Sequence, residues 1–192
     1  MKKIVLVVAL VAFLGAGTAF AGEYPNGFGI GVFGQYGFGD IGGTGGGLSI
    51  KIPGVPVFWG LNVALGESAS GNTTYFGLGL TGDFHIFDNS LGSNLNWWLG
   101  VGGLFRMDLY SEKVTWQNDP IDYNWINIGV RVPVGINLTF SMFDLYFQAV
   151  PSAGVRLYSG WKFEVLGITF KDDSSVNFGW GVPLEVGIRI WL

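Results

Sequence analysis

The sequence predicts an all-β protein, an eight-stranded antiparallel up-and-down barrel that spans a membrane. Three observations carry this prediction: apolar and polar residues alternate with a period of two, the alternating segments number eight, and short turns alternate with loops. Hydrophobic residues make up 49% of the 192 residues, charged residues only 12%, and mean hydropathy is +0.41. Apart from the N-terminus, the apolar residues never form a run of about 18, so a helical membrane protein is excluded.

The clearest strand is residues 126–138, in which every even position is Ile, Val or Leu and every odd position is Asn, Gly, Arg or Pro. Successive side chains of a strand point to opposite faces, so this alternation predicts one apolar and one polar face. Residues 176–192 repeat the pattern. The six remaining strands show small lapses: 28–38, 48–52, 55–65, 76–86, 97–109 and 143–157.

The connections between these strands also alternate. Short turns at 53–56, 88–94 and 139–142 follow the second, fourth and sixth strands, whereas loops follow the others, two of them long, at 111–124 and 159–175. Short turns at one end and long loops at the other are typical of outer-membrane barrels. Proline lacks a ladder donor and a closed barrel has no free edge, so we expect β-bulges at Pro133, Pro151 and Pro183.

The two faces of the strands decide which side meets lipid. The polar face is mostly Gly, Asn, Ser and Thr, a poor exterior for water, so we expect the apolar face outside. The alternative is a secreted soluble β-protein with its apolar face inside. Aromatic residues near both strand ends predict interfacial girdles: Trp97 and Phe143 at the turn end, and Phe38, Phe76, Trp125 and Trp180 at the loop end.

The N-terminus predicts export. Met1-Lys2-Lys3 precedes an apolar core and then Ala19-Phe20-Ala21, the small residues that a signal peptidase accepts. We therefore expect a signal peptide at 1–21, a barrel at 22–192, and location in the cell outer membrane. The pI near 4.8 and the scarcity of basic residues argue against a nucleic-acid partner.

The charged residues of the strands fall on the polar face, which is the predicted interior. Confined charges must be paired, so we expect a network in the lumen. Its predicted members are Lys51, Asp83, His85, Arg106, Asp108, Arg131, Asp144, Arg156, Glu185 and Arg189. We expect Arg131 and Glu185 at mid-height, and Asp83 with His85 nearer the turn end.

Catalysis and metal binding find little support. His85 is the only histidine, so metal sites that need two or three histidines are excluded. Thr81, Asp83 and His85 share a strand face, but no serine accompanies them at that height, as a hydrolase would require. We predict no enzyme, no metal and no cofactor, and a structural role for His85.

The architecture from residue 22 to residue 192 resembles the small outer-membrane barrels of the OmpA transmembrane-domain, OmpX and OmpW type. The resemblance implies two partners, outer-membrane lipid and the barrel assembly machinery. The last strand resembles the assembly signal of such barrels, although it ends in leucine where an aromatic residue is usual. Its outward positions are Trp180, Val182, Leu184, Val186, Ile188, Ile190 and Leu192.

These features favour a non-enzymatic barrel that serves envelope structure or surface binding and adhesion. The acidic, aromatic loops offer candidates for contact with an extracellular ligand: Trp116, Asp119, Asp122, Tyr123 and Trp161. A narrow conduit for small or apolar solutes is the first alternative, because many inward positions are glycine. A lipid-modifying enzyme is the second.

Overall fold

The computed structural model describes residues 27–41, 43–67, 72–113, 121–159, 162–165, 168–171 and 175–192. The signal peptide prediction lies outside these residues. The described ranges contain no helix with the length and hydropathy of a membrane span. The strands are β1 (Gly29–Gly39), β2 (Gly45–Lys51), β3 (Val57–Glu67), β4 (Thr73–Ser90), β5 (Leu95–Glu112), β6 (Ile121–Arg131), β7 (Val134–Thr139), β8 (Phe143–Ala149), β9 (Ser152–Ser159), β10 (Lys162–Val165), β11 (Ile168–Lys171) and β12 (Ser175–Trp191).

The barrel wall has eight strands, as predicted, because β7 continues β6 and β9 continues β8. Neighbours in sequence pair antiparallel, and β1 closes the ring by pairing with β12 from Gly29↔Trp191 to Gly39↔Gly181. Strands β10 and β11 form a separate hairpin in the last long loop. The predicted fold class, an antiparallel up-and-down barrel of eight strands, is confirmed.

The stagger of the ring follows from its register. A path of paired residues that leaves β12 at Val176 passes in turn through each of the other seven strands of the wall. It returns to β12 at Val186, ten residues later. For eight strands this stagger corresponds to a strand tilt of roughly 40° and an interior just wide enough for side chains.

Side-chain exposure alternates along the wall as the sequence predicts. In β12, Val186 and Ile190 are 60% and 47% exposed, whereas Glu185 and Arg189 are 3% and 6% exposed. Apolar residues therefore cover the outside and charged residues lie inside, which is opposite to a soluble β-sandwich. Trp125 is an exception to the predicted girdle: its ring faces inward, 4.4 Å from the guanidinium carbon of Arg156.

The prediction of bulges at the three strand prolines is wrong. Between Gly102↔Arg131 and Leu99↔Val134 both strands advance three residues, so no residue is inserted at Pro133. The register is likewise unchanged past Pro151 and Pro183. The one register shift in the β4–β5 ladder lies instead between His85 and Phe87.

Each proline carbonyl still accepts a ladder hydrogen bond. The amides of Gly100, Val132 and Val150 donate to Pro133, Pro151 and Pro183, each at 2.8 Å. Because proline has no N–H, the return bond of each pair is missing. One absent bond interrupts the ladder but inserts no extra residue into either strand. This explains why β6 ends just before Pro133 and β7 begins just after it, and why β8 and β9 are divided in the same way at Pro151.

Candidate functional site

The candidate site is the barrel interior, where charged side chains form three clusters at successive heights. We call the two rims the loop end and the turn end, after the connections they carry. The loop-end cluster comprises Asp40, Arg106, Asp108, Asn127 and Arg156. The middle cluster comprises Asp83, Arg131, Gln148 and Glu185, and the turn-end cluster comprises Ser49, Asp144 and Arg189.

The middle cluster joins four strands across the lumen. Arg131 on β6 lies 2.8 Å from Asp83 on β4 and 2.9 Å from Glu185 on β12, and all three are at most 5% exposed. Gln148 donates a second hydrogen bond to Glu185 at 2.5 Å. Asp83 thus belongs to the mid-height group rather than to the turn end where we expected it.

The turn-end cluster is a cation packed among aromatic rings. Arg189 donates to Asp144 at 3.2 Å and to Ser49 at 2.9 Å. Its guanidinium carbon lies 4.6 Å from the ring centre of Phe58 and 5.0 Å from that of Tyr146. An arginine can donate hydrogen bonds in its plane while its faces contact rings, so one side chain of β12 contacts β2, β3 and β8 here.

His85 and Lys51 lie beside the turn-end cluster. His85 is 8% exposed and is stacked between Phe58 and Trp98, with ring centres 4.3 and 5.1 Å away. His85 thus packs between two aromatic rings, and its structural role stays a prediction. Lys51 donates to the turn carbonyls of Ile52 and Val55, so it stays at the rim.

The loop-end cluster connects arginines through Asn127. Arg106 donates to Asp108 at 2.6 Å, Asn127 donates to Asp108 at 2.9 Å, and Arg156 donates to Asn127 at 3.1 Å. Arg156 also pairs with Asp40 at 3.4 Å. Asp40 and Asn127 were missed from the sequence, although the polar parity of β6 already places Asn127 on the inner face.

The inward glycines leave space for large side chains of neighbouring strands. A methyl group at Gly187 would lie 2.6 Å from Cζ of Tyr146, and one at Gly179 would lie 2.5 Å from Cδ of Arg156. Trp98 lies over Gly135 and Asp83 over Gly102 in the same way. The glycines on which the conduit alternative rested are therefore occupied by the side chains of neighbouring strands.

The cavities between the clusters are small. One of about 30 Å³ lies between the middle and turn-end clusters, and one of about 20 Å³ lies between the loop-end and middle clusters. A water molecule needs about 10–15 Å³ of such space, so each holds a water or two rather than a solute. Across the described residues no group of three His, Cys, Asp or Glu side chains could hold a metal ion.

The loop candidates are only partly described. Trp116, Asp119 and Trp161 lie outside the described residues, and Asp122 lies in β6. Tyr123 is stacked on Tyr110 with ring centres 5.1 Å apart, and Tyr110 on Tyr75 at 5.5 Å. These three tyrosines are among the residues that line a cleft of about 600 Å³ at the loop end.

A closed eight-stranded ring with an apolar exterior and paired charges inside defines the class of small outer-membrane β-barrels. The comparison with solved structures agrees. A major outer membrane protein from Thermus thermophilus is similar, with a TM-score of 0.56 and 15% identity, over 86% of this chain and 99% of that chain. This likeness confirms the fold expected from the OmpA-type resemblance.

The chain belongs to the family described as "Protein of unknown function (DUF3996)", whose model matches residues 32–172. Two further solved barrels are more distant. The N-terminal barrel domain of Pseudomonas aeruginosa OprF has a TM-score of 0.44 at 15% identity, over 85% of this chain and 97% of that chain. Neisserial surface protein A has 0.42 at 12% identity, over 86% and 96%. No curated protein matches.

Proposed function

We propose that this protein is a non-enzymatic outer-membrane barrel with a closed interior, which serves envelope structure or surface binding through its loop end. The filled lumen carries this proposal. Three clusters of paired side chains lie one above another, and the cavities between them are about 20 and 30 Å³. In a barrel closed in this way, the outer face remains for contact with lipid, and the ends remain for contact with molecules outside the membrane.

Conductance separates this proposal from the conduit alternative. The full chain, refolded into a planar bilayer, should give no discrete current steps, because the cavities between the clusters have room for only a water or two. A general porin at equal protein density provides the positive control. Discrete steps in the wild-type protein would contradict the closed interior and favour the conduit.

Membrane embedding has its own test, since the tryptophans point both ways. Trp180 is 56% exposed on the outer face, whereas Trp98 is 2% exposed in the lumen. Brominated acyl chains should quench the fluorescence of the vesicle-inserted protein, and Trp180→Phe should reduce the amount of fluorescence that is quenched. Trp98→Phe is the matched control and should leave that amount unchanged. Equal effects of the two variants would contradict an apolar face against lipid.

Surface binding draws support from the tyrosine-lined cleft at the loop end. We expect replacement of residues 114–120 by a short glycine-serine linker to spare membrane insertion and to abolish binding of the cells to whatever surface the wild-type protein recognises. Unchanged binding would remove this role from that loop and leave envelope structure as the function.

A further inference from the structure

One arginine in the loop-end cluster, Arg106, has a donor that the cluster does not use. Arg106 is 6% exposed and directs Nε to Asp108, but its Nη1 is buried without a hydrogen-bond partner in the part of the chain described. A buried unpaired donor is costly, and a guanidinium is suited to a carboxylate that can accept two hydrogen bonds. Arg106 therefore favours an additional acceptor at this end of the lumen.

Arg156 is held in place by neutral neighbours. Its Nε donates to Asn127 at 3.1 Å, and its guanidinium carbon lies 4.4 Å from the ring centre of Trp125. The ring of Tyr158 lies 5.0 Å from that of Trp125. Nη1 of Arg156 pairs with Asp40, so a ligand that replaced Asp40 would meet the guanidinium beside an aromatic surface.

The carboxylate that Arg156 contacts comes from the β1–β2 connection. Asp40 pairs with Arg156 at 3.4 Å while its own side chain is 50% exposed. It follows Gly39, whose φ of +89° is a conformation that glycine adopts without strain. A half-exposed ion pair contributes little to stability, so an external carboxylate can displace Asp40 at small cost.

We propose that the loop-end cluster is a binding site for a small aromatic carboxylate from outside the cell, and that Asp40 occupies it in the free protein as an internal substitute. The carboxylate would pair with Arg156 in the place of Asp40, and Arg106, which is only 6% exposed, would add its positive charge from below, while the ring packs against Trp125 and Tyr158. With Asp40 displaced, Arg106, Arg156 and Asp108 leave one net positive charge. The inference rests on the proposed function only in that the loop end faces outward.

Benzoate is the probe, titrated calorimetrically into the full chain folded in detergent micelles. Asp40→Asn removes the internal competitor and should bind benzoate about two- to fivefold tighter than wild type, the range expected for an exposed ion pair. Arg156→Gln should bind at least tenfold weaker. Arg156→Lys keeps the charge but loses the planar fork, so we expect an intermediate affinity. Benzamide, which is uncharged, should not bind.

Glu112→Gln is the matched control, because it removes one negative charge at the loop end without touching the cluster. An equal gain from Glu112→Gln and Asp40→Asn would overturn the proposal in favour of general electrostatic attraction. Absence of benzoate binding to both wild type and Asp40→Asn would also overturn it, as would equal binding of benzamide. Detergent micelles present both ends of the barrel, so these outcomes do not depend on the proposed function.

Discussion

The middle cluster permits a quantitative prediction about stability. Arg131 is 4% exposed and lies between Asp83 and Glu185, at 2.8 and 2.9 Å. Arg131→Met fills similar space but leaves two buried carboxylates without their cation. Removal of one partner from a buried ion pair costs about 3–5 kcal/mol. The equilibrium constant for unfolding should therefore rise by roughly two to nearly four orders of magnitude.

The assay is urea unfolding of the protein in lipid vesicles, followed by tryptophan fluorescence and by the heat-dependent shift in gel mobility. Lys113→Met is the control for loss of one positive charge at an exposed position, and should change the free energy of unfolding by no more than about 0.5 kcal/mol. The triple variant Arg131→Met, Asp83→Asn, Glu185→Gln leaves no unpaired charge and should recover most of the loss.

Two results would refute this reasoning. If Arg131→Met lowered the free energy of unfolding by less than about 1 kcal/mol, the two carboxylates could not depend on Arg131 as the buried geometry requires. If the triple variant were as unstable as the single one, packing volume rather than charge pairing would explain the loss.

Three further predictions concern single substitutions in the barrel wall. The first two use the same unfolding assay, and the third uses hydrogen exchange. Gly135→Ala places a methyl group against Trp98 and should destabilise by about 1–3 kcal/mol, whereas Gly34→Ala, with no atom within 4 Å, should have almost no effect. A penalty shared by both would contradict the filled lumen. Val130→Arg, at an outward position that is 60% exposed near mid-height, should cost about 2–4 kcal/mol in a bilayer; a neutral result would contradict lipid contact. Pro133→Ala restores a ladder N–H, which hydrogen exchange should find protected; rapid exchange would show that another contact separates the strands.

The period-two pattern was sufficient to predict the fold and the side of the wall on which each charge lies. It succeeded because alternation is a local property that a strand imposes on its own residues. At Trp125 the alternation rule conflicts with the weaker expectation that aromatic residues near strand ends face lipid. Its height favoured an interfacial girdle, but its parity placed it inside, and the structure follows parity.

Contacts across the lumen could not be predicted, because they depend on register between distant strands. Arg189 meets Ser49 from 140 residues away, and Asp83 joins Arg131 only through the stagger of the ring. The inward glycines were misread for this reason. Their sequence positions reveal an absent side chain, but only the register reveals that Tyr146 lies over Gly187.

Exposure differs among the three clusters and restricts where an external partner can act. In the middle cluster the ion-paired side chains are at most 8% exposed, and in the Arg189–Asp144 pair at most 7%. Only at the loop end does an ion pair within the described ranges combine a largely buried arginine, 16% exposed, with a carboxylate that is 50% exposed. An exchange of partners there breaks one weak pair, whereas exchange deeper in the lumen would leave a buried charge unpaired. Recognition of a charged ligand is therefore energetically feasible at the loop end, above clusters whose buried charges are already paired.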